Sequence, residues 1–336
     1  MALRQSPPTA RRSSFSQSHG YPNLNLHRLN LRQFRYFVGV VDAGSFSRAA
    51  ASLHIAQPAL SEQISNLEKE LGVELLTRGP RGAQPTSAGS VFYRSARAVL
   101  GEIKHVRAAL QTSGDLVGEV SLGLTTSFSA TFAEPIVSAV LARHPQVLIN
   151  IVDAPGHHHY NDLLCSKLDI AVLHEESEGV GIERRPLYDQ RLFYVERRNS
   201  IAAGPGIVRV ADLVDRPFLL PPMPNPSRIV LETAFMTLGA KPKVIAEANS
   251  RSTLMALVAG GIGGTLLAWS GIPDPAFEWS LIVDPSISHH VCLGRAHLLP
   301  RSEVVVAVQD IVEEVIMTAV RGPDWKGAVL PAAMNV

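Results

Sequence analysis

The tightest constraint in this sequence is a short turn followed by a helix that opens on proline. His54-Ile55-Ala56 turns the chain, and Gln57-Pro58 begins a segment whose Leu60, Ile64, Leu67 and Leu71 recur at helical spacing and share one face. Proline is favoured at the first helical position because the N–H it lacks had no intrahelical acceptor there. Gly72 ends the segment. Ser61, Glu62, Ser65, Asn66 and Lys69 are left on the polar side. Upstream, Leu31, Phe34, Phe37, Val38 and Val41 predict another helix, stopped by Asp42-Ala43-Gly44. Between the two, Ser45 or Ser47 caps a short helix through Ala49, Ala50 and Leu53. Two short helices joined by a small turn, the second polar outside, describe a helix-turn-helix. Beyond it, Val73-Glu74-Leu75-Leu76 and Gln84-Pro85-Thr86 pair as short strands around a loop that exposes Arg78 and Arg81. Pro85 fits only a strand edge or end.

Ser87 caps the next helix, which runs to about Thr112. Its Phe92, Ala96, Val99, Ile103, Val106 and Leu110 step by alternating fours and threes, the seam of a two-helix coiled coil. Dimerisation is the favoured reading; packing on its own domain is the alternative. Ser113-Gly114 then breaks the chain. From Glu119 strands and helices alternate. Val120–Leu124, Val147–Val152 and Ile170–Leu173 read as strands, with helices over Phe132–Arg143 and Tyr160–Lys167 and Ser127 as a cap. A second series follows: strands near Leu192–Val195, Lys243–Ala246, Thr265–Ala268 and Val291–Arg295, and helices over Arg228–Leu238, Ser252–Ala259 and Ser302–Val320. Such repeats predict α/β architecture, a parallel sheet with helices on both faces, in two lobes around a cleft. Ligands bind in such clefts beyond the carboxyl ends of the strands.

Composition narrows the function. Hydrophobic residues make up 46% and charged ones 18% of 336, an ordinary globular mixture. The net charge of +1 hides an asymmetry: residues 1–112 carry 14 Lys+Arg against 6 Asp+Glu, and the remainder 17 against 24. A basic N-terminal third on an acidic remainder is expected of a nucleic-acid reader joined to a unit with another task. Residues 1–27, rich in Ser, Pro, Arg and Gln, are expected to be a disordered tail. Two cysteines make no disulfide framework, and the first residues lack the apolar core of a secretory signal, so a cytoplasmic location is expected. The uncharged run Ser252–Pro273 carries five glycines and reads as helix, glycine turn and strand rather than a membrane span.

Arg32-Gln33-Phe34 with Phe37, Gly44-Ser45-Phe46-Ser47-Arg48-Ala49-Ala50, Leu53, Gln57-Pro58-Ala59-Leu60-Ser61, Gln63-Ile64, Leu67-Glu68, Leu71-Gly72, Leu75, Arg78 and Thr86-Ser87-Ala88-Gly89 together resemble the LysR-type transcriptional regulators. The pattern runs ungapped for some 58 residues and continues diffusely to about residue 320. Asp153-Ala154-Pro155-Gly156-His157, Leu168–Leu173 and Glu247-Ala248-Asn249-Ser250 are similar to the nitrogen assimilation control subgroup. The resemblance implies a winged helix-turn-helix, a linker helix that dimerises, and a two-lobed effector domain like the periplasmic binding proteins. It also implies homodimers or homotetramers that bind and bend double-stranded promoter DNA, a small-molecule effector, and RNA polymerase as a partner. Three positions depart from the family pattern: Glu62 where a base is usual, Leu76 for an aromatic, and Pro85 for a leucine.

The expected plan is a tail over 1–27, the winged helix-turn-helix over 28–89 and a linker helix over 90–113. An effector domain follows over 114–322, lobe I taking about 114–188 and 291–322 and lobe II about 189–290; 323–336 is a C-terminal tail. The expected DNA-contacting residues are Ser47, Gln57, Pro58, Ala59, Ser61, Glu62, Gln63 and Ser65 in the major groove and Arg78 and Arg81 on the wing. Gln57 and Gln63 suit adenine, and Ser61 suits phosphate or base. For a small, anionic effector, Thr125, Thr126 and Ser127 offer hydroxyls and free amides at a helix start. The resemblance implies that Leu220 and Pro222 supply the opposite wall, and Thr265 is expected to line the cleft. His157-His158-His159, in a strand or loop, would point apart and hold no metal. Gly260-Gly261-Ile262-Gly263-Gly264 lacks dinucleotide spacing and reads as tight packing. No catalytic constellation is found, and no cofactor is expected. The rival is a cytoplasmic small-molecule-binding protein or enzyme whose N-terminal helices only dimerise.

Overall fold

The computed structural model describes residues 29–79, 82–109, 116–174, 181–198, 206–271, 276–296 and 302–331. The expectations for the N-terminal tail, Arg81, Leu110 and Ser113-Gly114 fall outside these residues. The chain divides into two compact units, Met1–Gly89 and Ser90–Val336.

In the first unit, α1 (Leu31–Ala43) starts on a capping box in which Asn30 and Gln33 exchange side-chain to backbone hydrogen bonds of 3.0 Å. Gly44, left-handed at φ 59, ends it. Next come α2 (Phe46–Ser52), with Ser45 at the N-cap position, and α3 (Gln57–Leu71), with Pro58 in its first turn and left-handed Gly72 at its end. Phe37, Val40, Leu60, Ile64 and Leu67 are fully buried among the three helices. β1 (Leu76–Gly79) and β2 (Gly82–Pro85) pair antiparallel, Leu76 opposite Pro85. The first strand begins later than the sequence pattern placed it. Glu68 Oε1 accepts from the Leu75 and Leu76 amides at 2.8 and 3.0 Å, so Val73-Glu74 is a link fastened to α3. Nor does Ser87 cap the next helix. Thr86 does, its Oγ1 accepting from Gly89 N at 2.9 Å while donating to Glu74 O at 2.8 Å, and Ser87 is the first residue of α4 (Ser87–Ala109).

The second unit opens with β3 (Gly118–Leu124), α5 (Thr126–Arg143), β4 (Val147–Asp153), α6 (Gly156–Leu164), β5 (Ile170–His174) and β6 (Ile182–Arg191). A second lobe follows as β7 (Phe193–Arg197), β8 (Gly206–Arg209), β9 (Pro217–Leu220), α7 (Pro226–Thr237), β10 (Lys243–Glu247), α8 (Arg251–Ala259), β11 (Thr265–Leu267) and β12 (Phe277–Val283). The chain then returns through β13 (Ser288–Ala296), α9 (Glu303–Arg321) and β14 (Ala328–Val329). Lobe I is one sheet in the order β14-β6-β13-β5-β3-β4. Lobe II has the order β11-β7-β12-β8, with a parallel β10-β9 pair joined to it by the bridge Phe218–Gly264. The sheets are mixed, not parallel throughout. β3 runs parallel to β4 and β5, whereas β13 is antiparallel to β5 and β6.

Further departures are local. α5 begins six residues before the expected Phe132, and α6 begins at Gly156, taking the three histidines into a helix rather than a strand or loop. β6 was not anticipated at all. The stretch from residue 323, expected as a tail, is built in instead: β14 pairs with β6, and Trp325 packs on the lobe I core at Phe132 and Tyr188. Among the described residues no helix is long and apolar enough to cross a membrane. The apolar run from Ser252 divides into α8, a glycine turn and β11.

Candidate functional site

On α3, burial separates two faces. Leu60, Ile64 and Leu67 are fully buried, whereas Gln57, Pro58, Ala59 and Glu62 are exposed and Ser61, Gln63 and Ser65 half-buried. The first turn of α3, with its unpaired amides, is thus open. Ser47 on α2 is exposed as well. On the wing, Arg78 is exposed and its guanidinium stacks 4.5 Å from the Phe46 ring centroid, which holds the cation beside the helices. Gly82 sets the wing's position. Its φ is +99, and a Cβ there would collide with Gly44 O, the carbonyl that accepts from Ala83 N at 3.0 Å. A helix fastened through Glu68 and a wing seated on Gly44 form one polar surface of side chains and free amides that can bond base edges and phosphates.

Along α4 the expected seam is uneven. Val99 and Val106 are exposed, and Phe92 and Ile103 half-buried, but Ala96 is fully buried within the single chain. Tyr93 is also buried, with the Lys167 ammonium 5.7 Å from its ring. Ala96 therefore belongs to the inner face of the helix, and a partner can reach only its neighbours.

In the second unit, Thr125 caps α5 by position, with no side-chain capping bond, and Ser127 lies inside the first turn instead of capping it. Thr125 and Ser127 are half-buried; Thr126 is exposed, and its Oγ1 donates to Asp153 at 2.7 Å. One turn on, Thr131 Oγ1 donates to Ser270 O at 3.0 Å, tying α5 to lobe II. Opposite, Pro222 is half-buried and Leu220 fully buried at the carboxyl end of β9. Arg228, 9% exposed, braces this wall by donating to Pro221 O, to Glu247 at 3.0 Å and to Glu232. Thr265 is fully buried in β11 opposite Val195, and the parallel bridge Phe218–Gly264 sets it level with Leu219 of β9.

Two features escaped the sequence. His159 is fully buried, so close to β3 that a Cβ on Gly123 would lie 2.8 Å from its Nδ1. Burial pushes its pKa down, against an opposing pull from the Leu124 backbone and from Asp162 and Asp153. The other is a chain of side chains between the lobes: Ser227 Oγ, in the first turn of α7, sits 3.0 Å from Nε2 of buried His289, whose ring lies 4.5 Å from that of His174 at the end of β5. Nothing in periodicity marks these residues, because their partners are distant in sequence.

Comparison with known proteins accounts for both units. The family described as bacterial regulatory helix-turn-helix protein, lysR family, matches residues 31–90, and the LysR substrate binding domain matches residues 113–316. The chain is 34% identical over 311 residues to the nitrogen assimilation regulatory protein nac of Klebsiella aerogenes, covering 90% of this chain and 99% of that one. Among solved structures, a full-length OxyR variant from Pseudomonas aeruginosa superposes with a TM-score of 0.68 at 20% identity, over 86% of this chain and 98% of that one. Full-length CbnR complexed with its target DNA gives 0.59 at 22% identity, over 85% and 100%. The likeness to the two solved structures is one of fold, over most of this chain and nearly all of each of theirs. The chain belongs to the LysR family, and it is a DNA-binding transcriptional regulator with an effector-binding domain.

Proposed function

We propose that α3 enters the major groove, with Gln57, Pro58, Ala59, Ser61, Glu62, Gln63 and Ser65 facing base edges and the backbone and Ser47 on a phosphate. Arg78 and Arg81 reach phosphates or the adjacent minor groove. The observation that carries this reading is the open first turn of α3 above a fully buried Leu60-Ile64-Leu67 face. α4 joins two copies through Phe92, Val99, Ile103, Val106 and Leu110, making a homodimer or a homotetramer that acts in the cytoplasm on double-stranded promoter DNA and on RNA polymerase. The protein works by binding and not by catalysis. Its plan is a DNA-binding domain over 28–89, a linker over 90–113 and an effector domain from 114.

The effector is a small anion held between the lobes by Thr125, Thr126, Ser127 and Pro222. What supports a negative ligand is topology: α5, α6, α7 and α8 each begin just after the carboxyl end of a strand, so four helix N-termini open in the same region of their lobes. The test is DNase footprinting and mobility shift of the full chain on its own upstream DNA. Log affinity should fall linearly with log salt. Gln57→Ala and Ser61→Ala should each cost about 1–3 kcal/mol of specific binding with the fold intact. Salt-independent binding, or full specificity in both variants, would overturn the interface.

A further inference from the structure

The chain crosses between its two lobes twice, and both crossings are short. Leu192 alone separates β6 from β7, and residues 284–287 separate β12 from β13. The crossings lie side by side: Leu192 N donates to Ile287 O at 2.8 Å, and Ile282 N to Leu192 O at 3.3 Å. Leu192 is fully buried. A change in the angle between the lobes turns about this pair of links, since hinges are a few residues at the ends of elements.

One segment docked on lobe I reaches over that hinge. Trp325 Nε1 donates to Gln190 Oε1 at 2.8 Å, and Gln190 Nε2 donates to Lys326 O at 3.1 Å. Arg191 N donates to Gly327 O at 2.8 Å, so the last two residues of β6 are gripped just before the crossing. Gly327 holds φ +74, and a Cβ on it would lie 2.9 Å from the ring of Phe193, the first residue of β7. Between these contacts the Lys326 ammonium faces lobe II. Its Nζ lies 5.7 Å from the Trp269 ring centroid and 5.9 Å from that of Trp279, within cation–π range of both. The two indoles stand nearly perpendicular with centroids 5.1 Å apart, and the Phe193 ring lies 5.6 Å from each. These three rings pack in one lobe II core cluster, whereas Trp325 packs on the core of lobe I. The turn carrying Trp269 is also the one whose Ser270 O accepts from Thr131 of α5. Within three residues the segment meets lobe I, lobe II and the link between them.

We propose that residues 325–327 are a latch across the hinge: Trp325 anchors it in lobe I, and the Lys326 ammonium on Trp269 and Trp279 holds lobe II at one angle. A rotation larger than the lysine stem can follow lifts the ammonium off the indoles. Lys326 is exposed, and at exposed sites a cation–π contact shifts an equilibrium about twofold to fivefold. That biases the lobes without locking them. A ligand with a greater preference for another lobe angle overrides the latch, whatever its chemistry.

The experiment is hydrogen–deuterium exchange of the full chain, read by mass spectrometry at the two crossings, residues 190–194 and 280–287. Lys326→Met keeps an unbranched stem and removes the charge, and should speed exchange at both crossings about threefold. Lys326→Arg keeps a cation that stacks on indole and should restore the wild-type rate. Residues 120–124, inside the lobe I sheet, should exchange as in wild type in both variants. Unchanged exchange at the crossings in Lys326→Met would overturn the latch, as would Lys326→Arg exchanging as fast as Lys326→Met. Equal acceleration over residues 120–124 would assign the effect to loosening of lobe I. Acceleration over residues 190–194 alone would mean that the segment peels from β6 without freeing the hinge. Either of these results would also overturn the proposal.

Discussion

Trp325→Ala should destabilise the second unit far more than removal of a tail residue could. The indole lies 5.5 Å from the Phe132 ring and edge-on to Tyr188 at 6.3 Å, and Nε1 donates to Gln190 Oε1 at 2.8 Å. Truncating a fully buried tryptophan costs about 3–5 kcal/mol, and Trp325 is half-buried, which brings the packing loss to roughly 2 kcal/mol. Gln190 is 2% exposed, so leaving its oxygen without a donor adds about 1–3 kcal/mol. For a unit of this length each kcal/mol lowers Tm by about 2–4 °C, so a drop on the order of 10 °C is expected. Trp325→Phe keeps a ring in place and removes the N–H, and should lower Tm by several degrees, about half as much. Scanning calorimetry of the full-length chain reads both. If both variants melt within about 1 °C of wild type, the docking of this segment contributes nothing. Equal losses in the two would assign the whole effect to the hydrogen bond.

His159 is buried with its pKa held below the ordinary histidine value, so the unfolded chain takes up a proton that the fold refuses. Stability should fall as pH drops through about 6.5 toward the lower folded value, by at most about 1.4 kcal/mol per pH unit, and His159→Leu should flatten that slope in melts between pH 8 and 5. Gly82→Ala should cost at least about 1–3 kcal/mol through its positive φ and the collision with Gly44 O, with a matching loss of DNA affinity in mobility shifts. Val99→Asp and Val106→Asp should yield folded monomers by analytical ultracentrifugation. Ala96→Asp should instead unfold the chain around it, because Ala96 is fully buried before any partner arrives.

Local rules made the first unit readable. Pro58, Gly44 and Gly72 mark helix ends by backbone geometry alone, and Leu60, Ile64 and Leu67 fall at the spacing that burial demands. The exposed face of α3 followed from the same count. β6 was hidden for a physical reason: Ile182–Arg191 carries Glu183, Arg184 and Arg185 in a row, and Pro186 sits where the pairing with β13 slips between Val291 and Cys292. Proline in a sheet is tolerated at such bulges, which no single-strand pattern reveals. Likewise the approach of Ser227 to His289 depends on how the lobes are wound, which appears only when β13 is seen to return between β5 and β6.

That return has a consequence for synthesis. The ribosome delivers the helices and wing first, and their contacts are all local, so they can close as soon as they emerge. Lobe I must wait for β13 and the Trp325 segment, far downstream of the wing. At ~5–20 residues per second, a nascent chain spends some tens of seconds with a finished DNA reader and no finished receiver. A regulator built in this order is briefly able to grip a promoter before it can answer a signal.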